Sequence, residues 1–143
     1  MIGDGKSIFS ETYSPLPTPD PGLLAKWARI RELREAVNKE IEVLRSQGQV
    51  GSSLQAQVQL TLSSTDHALL QSLGEDVRFV FITSALQFET GQTLTVQVSP
   101  SPHVKCERCW HYRADVGQVA AHPQLCQRCD SNLHGVGESR SFA

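Results

Sequence analysis

Apolar and polar residues follow three different rhythms along this chain. Leu23, Trp27, Ile30, Leu33, Val37, Ile41 and Leu44 recur at steps of three and four, the spacing that lines one face of a helix. Gly48 is placed to end it. From Leu54 to Leu62 the period shortens to two. Leu54, Ala56, Val58, Leu60 and Leu62 alternate with Gln55, Gln57, Gln59 and Thr61, which predicts a strand with one dry face and one wet face. Ser64-Thr65-Asp66 can cap a short helix running to about Leu73, with Gly74 closing it. The run Val77 to Thr83 and the alternating Leu94 to Val98 predict two further strands, so the middle of the chain reads as a small mixed α/β subdomain.

Proline marks the boundaries. Pro15, Pro17, Pro19 and Pro21 remove backbone donors and push the residues before them toward extended geometry, which predicts an arm over residues 1–22. Ser99-Pro100-Ser101-Pro102 is a second break. The expected division is an arm (1–22), a helix (23–50), an α+β unit (51–99) and a cysteine-bearing end (100–143). The fold class is therefore α+β: a long N-terminal helix, the small mixed subdomain and a C-terminal four-cysteine zinc ribbon.

The last stretch obeys different physics. Val104, Trp110, Tyr112, Val116, Val119, Leu125, Leu133, Val136 and Phe142 are too few to build a durable core. Segments this short usually need a disulfide, a metal or a partner, and structural zinc contributes roughly 10–16 kcal/mol of apparent binding free energy in small peptides. All four cysteines lie here, spaced C-x2-C-x16-C-x2-C as Cys106, Cys109, Cys126 and Cys129. That spacing suits a four-thiolate zinc site, with each C-x2-C turn aiming two sulfurs at one ion. A rubredoxin-like iron and paired disulfides are the alternatives. Four sulfurs leave no open coordination position, so the ion is expected to be structural. His103, His111, His122 and His134 are then surplus as ligands and carry no acid–base role, and no H-x-E element precedes the cysteines as a zinc deaminase would require.

Length and charge narrow the function. A chain of 143 residues leaves little room for a large catalytic core, and a formal net charge of -2 with a pI near 6.2 supplies no overall cationic field for nucleic acid. Any RNA contact must come from a local patch. No secretory signal or run of membrane-spanning length is present, so a cytoplasmic protein that does not bind membrane is expected. Two local patches stand out. On the long helix Arg31, Arg34, Asn38 and Arg45 share one narrow strip at about 100° per residue, a candidate phosphate edge. Pairing with Glu35 and Glu42 on a solvated face explains the same residues. After the first cysteine pair, Trp110, His111, Tyr112 and Arg113 could stack on unpaired bases or meet phosphate. For Trp110, packing over the metal turns is the favoured reading.

Several stretches carry a resemblance. Lys105-Cys106-Glu107-Arg108-Cys109-Trp110-His111-Tyr112, Asp115-Val116-Gly117, Cys126-Gln127-Arg128-Cys129 and Gly137-Glu138-Ser139-Arg140-Ser141-Phe142-Ala143 closely resemble the C-terminus of bacterial isoleucyl-tRNA synthetases. So do Ser7-Ile8-Phe9 with Tyr13, Trp27 with Val37-Asn38-Lys39, Gly51 to Leu54 and Gly74 to Val80; only the first five residues fall outside it. The resemblance implies that the helix ends an anticodon-binding helical region, that the α+β unit is a junction, and that Cys106, Cys109, Cys126 and Cys129 hold one structural zinc. It also implies tRNA(Ile) and the rest of a synthetase chain as partners, in a monomer, with ATP bound only in a catalytic domain outside these residues. No His-Ile-Gly-His or Lys-Met-Ser-Lys-Ser type signature occurs, so no catalytic residue is expected here. Arg128 joins Arg31, Arg34, Asn38, Arg45, His111, Tyr112 and Arg113 as a candidate tRNA contact.

A DNA glycosylase of the formamidopyrimidine type has a similar zinc ribbon but uses an N-terminal Pro-Glu, whereas this chain begins Met1-Ile2. A third reading makes the ribbon a scaffold that never meets RNA.

Overall fold

A computed structural model describes residues 9, 12 and 15–139. The first residues of the expected arm, Tyr13 and the C-terminal Arg140 to Ala143 lie outside that set. The chain is a mixed α+β structure with its four cysteines gathered in one cluster.

Helix α1 spans Pro21–Ser46. Asp20 caps it by accepting from the Gly22 and Leu23 amides, and Pro21 occupies the first turn, where its missing N–H costs nothing. Its end is a Schellman closure: Gln49 N–H donates to Leu44 O, Gly48 N–H donates to Arg45 O, and Gly48 sits at φ 71°. Of the apolar stripe, Ile30, Leu33, Val37 and Ile41 are buried, Trp27 and Leu44 pack at the margin, and Leu23 stays half-exposed.

Strand β1 (Ala56–Leu62) is the centre of a three-stranded sheet. It pairs in parallel with β2 (Ala85–Thr90) and antiparallel with β3 (Thr95–Pro100). Ala56, Val58, Leu60 and Leu62 are all buried, and the register sets Leu60 between Phe88 and Val96 and Val58 between Leu86 and Val98. This face packs with the α1 stripe and with Leu70, Leu73, Val77 and Phe81 into one core.

The connection from β1 to β2 corrects one expectation. The apolar run at residues 77–83 predicts a strand, but α2 (Ser64–Gln71) is followed by α3 (Val77–Phe81), and the missing strand is β2. Parallel neighbours cannot be joined by a tight turn, so the chain must cross the sheet before pairing again, and helices supply that crossover. Within α3, Val77 and Phe81 fall one turn apart and point inward. Ile82 then adopts the left-handed conformation, φ 56°, which is unusual for a β-branched residue. The cap of α2 is Ser63 rather than Ser64, its hydroxyl accepting from the Asp66 amide at 3.1 Å.

One ion pair ties α1 to α2. Arg29 donates through Nε and Nη2 to the two carboxylate oxygens of Asp66, both at 2.8 Å. Those bonds from Arg29, joined by the one from Ser63 and opposed by burial, hold the Asp66 carboxyl below its ordinary range. Its contribution is therefore complete above the unfolded carboxyl's pKa of about 3.9 and is lost as pH falls through the lower folded value.

Two outcomes are expected in urea unfolding. Phe81→Ala should cost about 3–5 kcal/mol, because the ring is fully buried. Asp66→Asn should cost about 1–2 kcal/mol near neutral pH, discounted for the half-exposed arginine, and the difference from wild type should shrink at pH values below about 3.9.

Candidate metal centre

The two cysteine pairs arrive from different local structures. Cys106 and Cys109 lie in the turn between the short strands β4 (Val104–Lys105) and β5 (Tyr112–Arg113). That turn is closed by Cys106 N–H donating to His111 O and Trp110 N–H donating to Cys106 O, both at 2.9 Å. Trp110 takes a left-handed conformation, φ 65°, to complete it. The second pair opens helix α4 (Gln127–His134): Cys126 is the residue before its first turn and Cys129 lies in that turn, where unpaired amides and the helix dipole favour a thiolate. Sequence spacing carried the pair but not the helix, whose only large apolar side chain is Leu133.

The sulfurs converge. Each lies within 4.8 Å of the others, and Cys109 Sγ is 3.8 Å from Cys126 Sγ. Thiolates bonded to a central zinc at ~2.3 Å stand about 3.8 Å apart, so the cluster needs only slight contraction to hold one ion. All four are free thiols; Cys106, Cys126 and Cys129 are fully buried and Cys109 partly so. Leu125 and Val116 complete this small second core.

Their electrostatics are uneven. Burial pushes the Cys106 thiol up, but amides from Cys109, Cys126 and Arg108 directed at its sulfur outweigh this and bring it down to about 6. Burial raises Cys109 and Cys126, the latter strongly. A bound dication would reverse this for both, since a coordinating thiol is deprotonated outright. Arg108 Nη1 lies 3.6 Å from Cys129 Sγ and would offset part of the charge of a four-thiolate centre.

The candidate RNA contacts divide sharply. Arg31 and Asn38 are exposed on α1; Arg45 is exposed but donates to Glu42 at 3.1 Å; Arg34 is half-buried, with its Nε buried and without a partner. Of the ribbon residues, His111 is only 9% exposed, its ring packs against Phe79 at 5.4 Å, and its Nδ1–H donates to Cys109 O, so little of the ring faces solvent. Burial pushes its pKa down, against the pull of that carbonyl, and the nearby guanidinium groups push it further. Arg113 is held by Asp115, and Arg128 lies over the Phe79 ring at 4.8 Å. Tyr112 is half-buried, its amide donating to Ser84 Oγ at 2.6 Å.

Trp110 is the reverse case. Expected to pack over the metal turns, it is 61% exposed, with its indole N–H donating to Glu107 O and Lys105 Nζ 6.0 Å from its ring. The left-handed turn explains the exchange, because it directs Trp110 outward and the next residue, His111, inward.

Residues 105–132 match the family described as the zinc finger found in FPG and IleRS. Isoleucine–tRNA ligase from Ralstonia pickettii is 53% identical over 142 residues, covering 96% of this chain and 15% of that protein. Those of Cupriavidus pinatubonensis and Bordetella pertussis are 52% and 49% identical, over 99% and 96% of this chain. The chain is a relative of the C-terminal part of bacterial isoleucine–tRNA ligases. It spans about 15% of the length of these ligases. The match runs across the helix and the sheet as well as the cysteines, so the kinship with isoleucine–tRNA ligases does not rest on the zinc-finger motif that DNA glycosylases share.

Stripping metal with a strong chelator should abolish amide-exchange protection over residues 104–137 while leaving that of β1–β3, because the two hydrophobic clusters are separate and only one contains the cysteines. Equal loss in both would show that the larger core depends on the metal too.

Proposed function

We propose that this chain is the zinc-binding, tRNA-contacting C-terminal part of an isoleucine–tRNA ligase, supporting ATP-dependent attachment of isoleucine to tRNA(Ile) by the whole enzyme in the cytoplasm. One zinc is held by Cys106, Cys109, Cys126 and Cys129. The observation that carries this reading is the closed cluster of four sulfurs in a chain about half identical to these ligases along nearly its whole length. Saturated coordination gives the ion no site for substrate, so its work is to fold residues 104–137. No helix of the described residues is long and apolar enough to cross a membrane.

Two exposed surfaces suit RNA. The α1 edge offers Arg31, Asn38 and Arg45 with Arg34 behind them, and the ribbon offers Trp110 flanked by Lys105 and Arg108. An exposed indole anchored through its N–H, with the Lys105 ammonium 6.0 Å from its ring, suits an unpaired base. Tyr112 and Arg128 meet Ser84 and Phe79 at the seam, and Arg113 is paired with Asp115 inside the ribbon. A second reading, a ribbon that only clamps the synthetase's end, draws support from Arg128 lying over Phe79 across the seam and from the pairing of Arg113 with Asp115 inside the ribbon, each of which occupies a cation. The units assigned to that ligase end are the arm (1–22), the helix (23–50), the junction (51–99) and the zinc-binding end (100–143), with α1 itself beginning at Pro21 and β3 ending at Pro100.

Metal analysis of purified protein should give about one zinc per chain. In the whole enzyme, Trp110→Ala should weaken tRNA binding by about 1–3 kcal/mol with the salt slope unchanged, whereas Arg31→Gln with Arg34→Gln should reduce the slope by up to about two. Unchanged affinity and slope in all of these would favour the clamp.

A further inference from the structure

Against α4, a second group of ligand-bearing side chains comes together. His122, in the loop before the second cysteine pair, meets Asp130 and His134 of α4, and their ligand atoms all lie within 4.8 Å of one another. Asp130 and His134 are one helical turn apart and so share a face. His122 Nδ1 is 2.6 Å from Asp130 Oδ1, and its ring stacks on that of His134 with centroids 3.9 Å apart and planes 11° from parallel. None of the three belongs to the four-sulfur cluster. His122 and Asp130 are half-buried and His134 is exposed, so an ion could enter from solvent.

The hydrogen bond between His122 and Asp130 has a chemical consequence. The carboxylate accepts the proton on Nδ1, which fixes the tautomer and leaves Nε2 with a bare lone pair. This is how proteins prepare an imidazole for a metal: the ring's other nitrogen donates to a carboxylate, which orients the ring. A second imidazole beside the first supplies another nitrogen. Two neutral nitrogens with a neighbouring carboxylate suit a late first-row divalent ion such as zinc, nickel or copper, and do not suit magnesium or calcium, which demand oxygen.

We propose that His122 and His134, with Asp130 as the orienting carboxylate, form a second site for a divalent transition-metal ion, open to water and separate from the four-cysteine centre. In the stacked arrangement the two rings lie in nearly parallel planes, so lone pairs directed within those planes do not meet at one point. Binding therefore turns the His134 ring about its side-chain bonds until both nitrogens converge, and its exposure at the end of α4 leaves it room to turn. The bound ion ties the loop at residues 119–123 to the last turn of α4, whose opposite end carries Cys126 at the cap and Cys129 in the first turn. The incomplete shell makes this ion weaker and more exchangeable than one held by four thiolates.

The test titrates zinc-loaded protein with nickel chloride near neutral pH, by calorimetry and by NMR of histidine ring nitrogens. One further nickel per chain is expected, with paramagnetic broadening of His122 and His134 but not of His67 or His103. His122→Ala and His134→Ala should each weaken that binding at least about tenfold, and Asp130→Asn about tenfold, the scale seen when a supporting carboxylate is removed. No further nickel, undiminished binding by both alanine variants, or broadening confined to other histidines would overturn the proposal. Zinc content measured in the same samples reports on the four-cysteine centre independently, so a failure there is not confused with a failure here.

Discussion

Residues 104–137 depend on one constraint: two cysteine pairs separated by 16 residues must meet at a single point. The second hydrophobic cluster holds little besides Leu125, Val116 and the cysteines themselves. So small a core cannot offset the conformational entropy of ordering the segment, and coordination bonds replace the missing apolar burial. The local structures follow from that demand. A strained left-handed Trp110 closes the first turn, and a helix start presents the second pair with its amides forward.

The larger core needs no such device. The α1 stripe, the inner face of β1 and the side chains of α2 and α3 bury one another by shape and period alone. The metal-bearing end is nonetheless fastened to it. Ser84 links the two: its hydroxyl donates to Leu54 O and accepts the Tyr112 amide. Beside it, Phe79 receives the edge of His111 and the guanidinium planes of Arg78 and Arg128. Burial, then repulsion from Arg113, lowers the pKa of Arg78, the signature of cations gathered in a partly dry seam. At this seam His111, Tyr112 and Arg128 meet Phe79 and Ser84, while Trp110, Lys105 and Arg108 stay exposed.

Much was legible from residue order because the governing rules are local. Helical spacing from Trp27 to Leu44, the period of two in β1 and the cysteine spacing each state a short-range geometry, and short-range geometry is written in neighbouring residues. The strand assigned to residues 77–83 shows where this fails. Its apolar run satisfies a strand or a short helix equally well, and the choice was made by β1 and β2 pairing in parallel, which forces a crossover that no local pattern records. The alternation of Leu86 and Phe88 with Gln87 and Glu89 was present and would have pointed to β2.

The sequence by itself determined that four thiolates could meet on one ion, that a helix and a strand would each bury one face, and that the chain resembles the end of a synthetase. Only the tertiary structure decided which side chains face outward. His111 and Trp110 are adjacent and both aromatic, yet one is sealed against Phe79 and the other, at a turn residue with positive φ, stands in solvent. His122 meets Asp130 and His134 only because the loop folds back over α4. Spacing records what can meet; direction depends on backbone dihedrals and on partners far away in the chain, which residue order does not state.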